Sequence, residues 1–163
     1  MATALRVADE VWIATAILHR QHPEREDFSV AEIAGRAEAE RAGSSPLRSG
    51  FRTHASQHCV ANKAPNPGRY RMLVETSRGR RRLFRPGDPC HPDRRTGKDA
   101  PNPDDVPLAY RPLIDWYRSE YVRGGERRGE GEDPILALLG LGRSMWTNES
   151  PDAYVERLRE GWG

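Results

Sequence analysis

The side chains best able to do chemistry in this chain are arginines, and their grouping suits a polyanion. Residues 44–86 hold ten Lys+Arg (Arg48, Arg52, Lys63, Arg69, Arg71, Arg78, Arg80, Arg81, Arg82, Arg85) and a single acid, Glu75. A guanidinium presents a planar fork of donors that fits two phosphate oxygens, or the O6 and N7 of guanine. The hydroxyls of Ser49, Thr53 and Ser56 stand beside Arg48 and Arg52 and can bond bases or phosphates. The aromatics do not alternate with these arginines in the manner an RNA stacking platform requires, so RNA is the weaker option and double-stranded DNA is the expected partner.

Other reactive residue types are sparse. His54, His58, Cys90 and His91 are possible metal ligands, and His54 and His58 are spaced to share a helical face. Paired Cys-x-x-Cys spacing is absent, and adjacent ligands such as Cys90 and His91 rarely bind the same zinc. Cys59 continues an apolar stripe and reads as core. No phosphate loop, nucleophile elbow or pair of catalytic carboxylates is present. Neither a metal, a cofactor nor enzymatic activity is therefore expected.

The elements that must position the arginines follow from periodicity. Residues 4–21 carry Leu5, Trp12, Ala16 and His19 near one face, broadened by Val11, Ile13, Ile17 and Leu18, which is a wide helical stripe. His22-Pro23 ends it. Ser29 and Glu32 form a capping-box pattern, with Phe28 placed to staple onto Ile33, so a second helix is expected over about residues 30–41. Ser45 and Pro46 open a third, whose stripe is Leu47, Phe51, Ala55 and Cys59. A hairpin follows. Tyr70, Met72 and Val74 alternate with Arg71, Leu73 and Glu75, Ser77-Arg78-Gly79 turns, and residues 80–85 return.

Residues 87–106 are rich in Pro, Gly, Asp and Asn and read as a linker or as a loop lying on the core. A fourth helix is expected over residues 107–123, capped by Asp104 or Asp105. A glycine-rich hinge at 124–132 precedes a short apolar helix over about residues 134–141 and a last one over residues 151–160, capped by Ser150. The expected organisation is thus mostly α with a small β-hairpin: a winged helix-turn-helix over residues 1–90, a linker and supporting helix over 91–123, and an interaction tail over 124–163. In that architecture Arg48, Ser49, Arg52, Thr53 and Ser56 face the major groove, and Arg78, Arg80, Arg81 and Arg82 reach phosphates or a minor groove from the wing.

Charge and composition agree with this division. The chain of 163 residues has a formal net charge of +2, yet residues 1–98 hold 18 Lys+Arg against 11 Asp+Glu, and residues 99–163 hold 8 against 13. A basic half suits nucleic acid and an acidic half suits a separate task. No apolar run approaches the roughly 20 residues of a membrane span, and no signal-peptide pattern opens the chain, so a cytoplasmic protein is expected.

Two resemblances add to this reading. His58-Cys59-Val60-Ala61-Asn62, Arg69-Tyr70-Arg71, the run from Arg80 to Asp88 and Leu113-Ile114-Asp115-Trp116-Tyr117 resemble an uncharacterised bacterial winged-helix family over about residues 5–121. The resemblance implies a DNA-binding module. Residues 133–142, Trp146 and residues 152–162 resemble the toxin-binding tail of VapB-type antitoxins, which partner PIN-domain ribonucleases. That resemblance implies Leu136, Leu139, Trp146, Tyr154, Leu158 and Trp162 as anchors on a toxin, with Arg143, Arg157 or Arg159 directed at its acidic pocket. A homodimeric autorepressor is the function so implied. The alternatives are a protein-binding adaptor and an accessory DNA-binding subunit of a nuclease or restriction system.

Overall fold

The chain divides into two compact units, Met1–Val122 and Arg123–Gly163. The structure, a computed structural model, describes residues 5–41, 46–65 and 67–125. The six anchors expected in the tail lie outside the described residues.

Helix α1 (Val7–Gln21) is the central element, because apolar and small residues occupy almost every turn of it. Val11, Trp12 and Ala16 are fully buried, and Trp12 meets Tyr117 edge-on with ring centroids 5.5 Å apart. Strand β1 (Phe28–Ser29) leads directly into α2 (Val30–Glu40). The capping box forms as expected: Ser29 Oγ accepts from Glu32 N at 3.1 Å, and Ser29 N donates to the Glu32 carboxylate at 2.8 Å. These bonds satisfy two of the amides that a helix start leaves without partners.

The hairpin consists of β2 (Leu73–Ser77) and β3 (Arg80–Leu83), joined by a turn in which Gly79 has φ +79°. A left-handed residue is what a tight hairpin turn requires, and glycine takes it without a Cβ penalty. The sheet has a third strand that the sequence does not announce. β1 pairs antiparallel with β3 through Phe28 opposite Arg81 and Ser29 opposite Arg80, giving the order β1-β3-β2.

Helix α3 (Phe51–Thr53) begins later than Ser45-Pro46 suggests. Gly50 precedes it at φ +84°, so the preceding backbone cannot continue the helix, and Arg48 and Ser49 sit in a turn ahead of it. After Thr53 the helix widens into a π-helical turn, His54–His58, in which Cys59 N bonds His54 O at 3.0 Å.

Residues 87–110 lie on the core as an ordered loop with short 3₁₀ turns, and Ala100 and Val106 are buried in it. The fourth helix starts at Arg111 rather than at Pro107, as α4 (Arg111–Trp116), and it also widens, over Tyr117–Tyr121. Asp104 and Asp105 belong to a separate 3₁₀ turn and do not cap it. Tyr117 and Tyr121 donate their hydroxyls to Phe84 O at 2.6 Å and Leu83 O at 3.0 Å, which ties this helix to the end of β3. Among the described residues no helix is long and apolar enough to cross a membrane.

Candidate nucleic-acid interface

The exposed side of α3 is built from the turn that starts it. Phe51 is buried as the anchor, and Ser49, Arg52 and Thr53 are exposed around it. Ser56 follows one turn later and is half-buried. Arg48 turns the other way. Its guanidinium bonds Leu5 O and lies 3.3 Å from the Glu10 carboxylate on α1, so it braces the turn as well as meeting solvent.

The far end of this helix is held by two guanidiniums. Arg81 on β3 donates from Nε to Ala55 O at 3.2 Å and from Nη2 to Ser56 O at 3.1 Å. Arg94, from the loop beyond the hairpin, donates from Nη2 to Gln57 O at 3.0 Å and from Nη1 to His58 O at 2.7 Å. Helix C-termini leave carbonyls without amide partners, and cations there also complement the helix dipole. Lys63 Nζ adds a bond to Ser56 O at 3.2 Å and pairs with Glu75 at 3.3 Å. Glu75 also accepts from Arg81 at 2.8 Å. Burial opposes the ionisation of Glu75, but Arg81 and Lys63 prevail and hold its carboxyl below the usual range. Asn62 fixes the same strand with a two-point bond to the Glu75 backbone, at 2.9 and 3.0 Å.

The hairpin arginines are not a uniform free charge, which corrects the picture of four equivalent wing contacts. Strand alternation places Arg81 and Leu83 on the inner face. Arg81 is 2% exposed and wholly engaged. Arg80 donates to Asp27 at 2.5 Å, and Thr76 Oγ1 donates to the other oxygen of that carboxylate at 2.6 Å. Arg82 forms a two-point fork with Asp88 at 2.6 and 2.7 Å. Arg78, at the turn, is exposed and has no ionic partner among the described residues. The turn itself is pinned to α2, where Val30 N donates to Gly79 O at 3.2 Å.

Arg94 is the residue that sequence reasoning missed. It has no exposed surface, and besides Gln57 and His58 it reaches the carbonyls of Lys63, Ala64 and Tyr70 at 2.5–3.2 Å. Its partners lie 24–37 residues away in sequence, so no local pattern marks it. Burial lowers its pKa from the usual arginine value. Five carbonyl dipoles, with no carboxylate among them, compensate the charge.

His54 and His58 meet edge-to-face with ring centroids 4.8 Å apart, and His54 Nδ1 lies 3.0 Å from Gly50 O. Cys90 and His91 lie on the loop that precedes Arg94. Among the described residues no three His, Cys, Asp or Glu side chains are grouped to hold a metal ion. His19, buried on α1, accepts from Leu83 N through Nε2 at 3.3 Å and rests against Phe28 and Tyr121. Burial first, then Arg85 and Arg82, push its pKa down to about 3. It acts as a neutral acceptor inside the core.

Compared with protein-family models, with curated proteins and with solved structures, the chain finds no match in any of the three. Its function has to be argued from its own residues.

Proposed function

We propose that this chain binds duplex DNA through a winged helix-turn-helix, with α3 as the recognition helix. Two features support the fold reading. The element order α1-β1-α2-α3-β2-β3 and a sheet with β3 at its centre are those of a winged helix. A single observation carries the functional reading: Ser49 in the turn that leads into α3, and Arg52 and Thr53 in its first turn, stand exposed, while the back and far end of the helix are fixed by buried groups. A rigid helix with its leading turn, together offering an arginine and two hydroxyls, suits a major groove. Arg78 at the hairpin turn supplies a phosphate contact beside it. Arg81 serves this interface by position, and Arg48, Arg80 and Arg82 serve it mainly as braces.

The test is duplex binding by the full chain, followed by fluorescence anisotropy from about 50 to 200 mM salt. Affinity should fall steeply with salt, and the Arg52→Ala/Arg78→Ala variant should bind weakly while keeping its thermal midpoint. A flat salt response, or unchanged binding by that variant, overturns the reading.

A homodimeric, cytoplasmic autorepressor whose tail binds a toxin is the fuller form of this proposal. It rests on the tail's resemblance to VapB-type antitoxins. Co-expression with a PIN-domain ribonuclease encoded beside it tests it directly. Copurification with protection from the ribonuclease supports the reading, and separate elution overturns it.

A further inference from the structure

The ionic partners of the arginines sort them into two sets. Arg48, Arg71, Arg80, Arg81 and Arg82 pair with acids, and Arg94 is buried among carbonyls. Arg85 lies over the Tyr121 ring, 4.1 Å from its centroid. Over residues 46–98, Arg52, Arg69, Arg78 and Arg95 remain exposed and without an ionic partner among the described residues. Arg52 and Arg78 belong to the interface proposed above. Arg69 and Arg95 do not, and they are 26 positions apart on segments that meet through Gly97 and Lys98.

The device that does so is specific. Residues 94–97 make a tight turn, closed by Gly97 N donating to Arg94 O at 2.8 Å, which puts Arg95 and Thr96 at its exposed corner. Gly97 presses so closely on the neighbouring segment that a Cβ there would lie 1.9 Å from Arg69 O. Arg71 N bonds Lys98 O at 3.0 Å and Arg71 Nε bonds Gly97 O at 2.7 Å, so the two segments run side by side. Of the acids nearby, Asp99 lies 4.0 Å from Arg71, and Asp93 is exposed with its carboxylate 3.8 Å from the ring of His91.

This turn is also registered to the recognition helix, because Arg94, adjacent to Arg95, is the group that holds Gln57 O and His58 O. Gly68, adjacent to Arg69, packs in turn on His58, its Cβ position 3.3 Å from the His58 Cβ. From Thr53 to His58 a helix rises by only about 7 Å, so its far end stays close to the proposed recognition surface. Two exposed cations on loops fixed to the end of that helix are therefore held within reach of a polyanion seated on the proposed recognition surface.

We infer that Arg69 and Arg95 form a second phosphate-binding site, on the loops at the C-terminal end of α3, which clamps the backbone of the same duplex. The site takes phosphodiester oxygens and carries no sequence information. The inference rests on the duplex-binding reading and extends it to a surface that reading does not need.

The experiment is a salt titration of full-chain binding to a duplex of random sequence, comparing wild type, Arg69→Ala/Arg95→Ala and Arg69→Lys/Arg95→Lys. Each phosphate contact contributes about 0.9 to the slope of log K against log salt. The alanine pair should reduce the slope by about 1–2 and weaken binding about tenfold or more at low salt, while the lysine pair stays near wild type. Both side chains are exposed, so thermal midpoints should not move. An unchanged slope and affinity in the alanine pair overturns this site alone if Arg52→Ala/Arg78→Ala still weakens binding. No duplex binding by the wild type overturns this site and the broader reading together.

Discussion

Arg81 and Arg94 divide four consecutive carbonyls between them, Arg81 taking those of Ala55 and Ser56 and Arg94 those of Gln57 and His58. One guanidinium comes from the hairpin and the other from the loop beyond it. The orientation of α3 is thus set by two segments that reach it from different parts of the chain. The widened turn is where they act, and its backbone is fixed by charge-assisted bonds as well as by apolar packing.

Removing Arg94 should be severe. Arg94→Met keeps an apolar stem but removes the guanidinium from five backbone carbonyls, of which Gln57 O retains Val60 N at 3.1 Å. A loss of about 3–5 kcal/mol is expected in urea unfolding. Arg94→Lys should not rescue it, because an ammonium is a point donor and cannot span carbonyls spread around a planar fork. A lysine variant with the wild-type urea midpoint would show that charge alone suffices.

Gly97 and Gly87 separate two costs of adding a methyl group. At Gly97 the new Cβ would collide with the Arg69 carbonyl, so backbone has to move, and Gly97→Ala should cost about 2–3 kcal/mol. At Gly87 nothing lies within 4 Å, but φ is +93°, so Gly87→Ala meets only the left-handed penalty of about 1 kcal/mol. Equal thermal midpoints for the two variants would contradict this close approach of the loop to Arg69.

Much of this scaffold is legible in the sequence, and the failures share a cause. The stripe of α1 and the Ser29–Glu32 box follow from local periodicity and capping, and both appear. The hairpin turn is readable from Arg78-Gly79 for the same reason. The start of α3 was not, because Ser45-Pro46 and Gly50 offer competing local signals and the left-handed Gly50 prevails. Strand β1 is only Phe28–Ser29, too short for any period to register. The run Arg80-Arg81-Arg82 reads as one charged patch until Asp27 and Asp88 are placed against its ends. The parity of Arg81 with Leu83 was the available hint that this arginine faces inward.

His19 should make stability pH-dependent in a defined window. Its folded pKa is depressed from 6.5 to about 3, so between those values the unfolded chain binds the proton more readily. Stability from this group is complete above about pH 6.5 and falls as pH drops, by at most about 1.4 kcal/mol per pH unit. The carboxylates held below their usual range, such as Glu32 and Glu75, contribute losses only at lower pH. His19→Gln, which retains an acceptor and does not titrate, should flatten the urea midpoint between about pH 4.5 and 6.5. The same decline in the variant as in the wild type would rule His19 out as its source.

The hairpin arginines should separate by what they hold. Arg78 is exposed and unpaired among the described residues, so Arg78→Ala should leave the urea midpoint unchanged and lower the salt slope of duplex binding by about 1. Arg82 forms a two-point fork with Asp88, whose side chain is 13% exposed, and Asp88 also receives Arg85 N at 2.6 Å. Arg82→Ala leaves that carboxylate with one partner fewer in a half-dry site, and a loss of about 1–3 kcal/mol is expected. Its salt slope should stay at the wild-type value, because Arg82 is committed to Asp88 and not to phosphate. The two measurements are made on the same preparations. If Arg82→Ala instead keeps its urea midpoint and loses slope as Arg78→Ala does, the Asp88 fork opens when DNA binds, and Arg82 belongs to the interface.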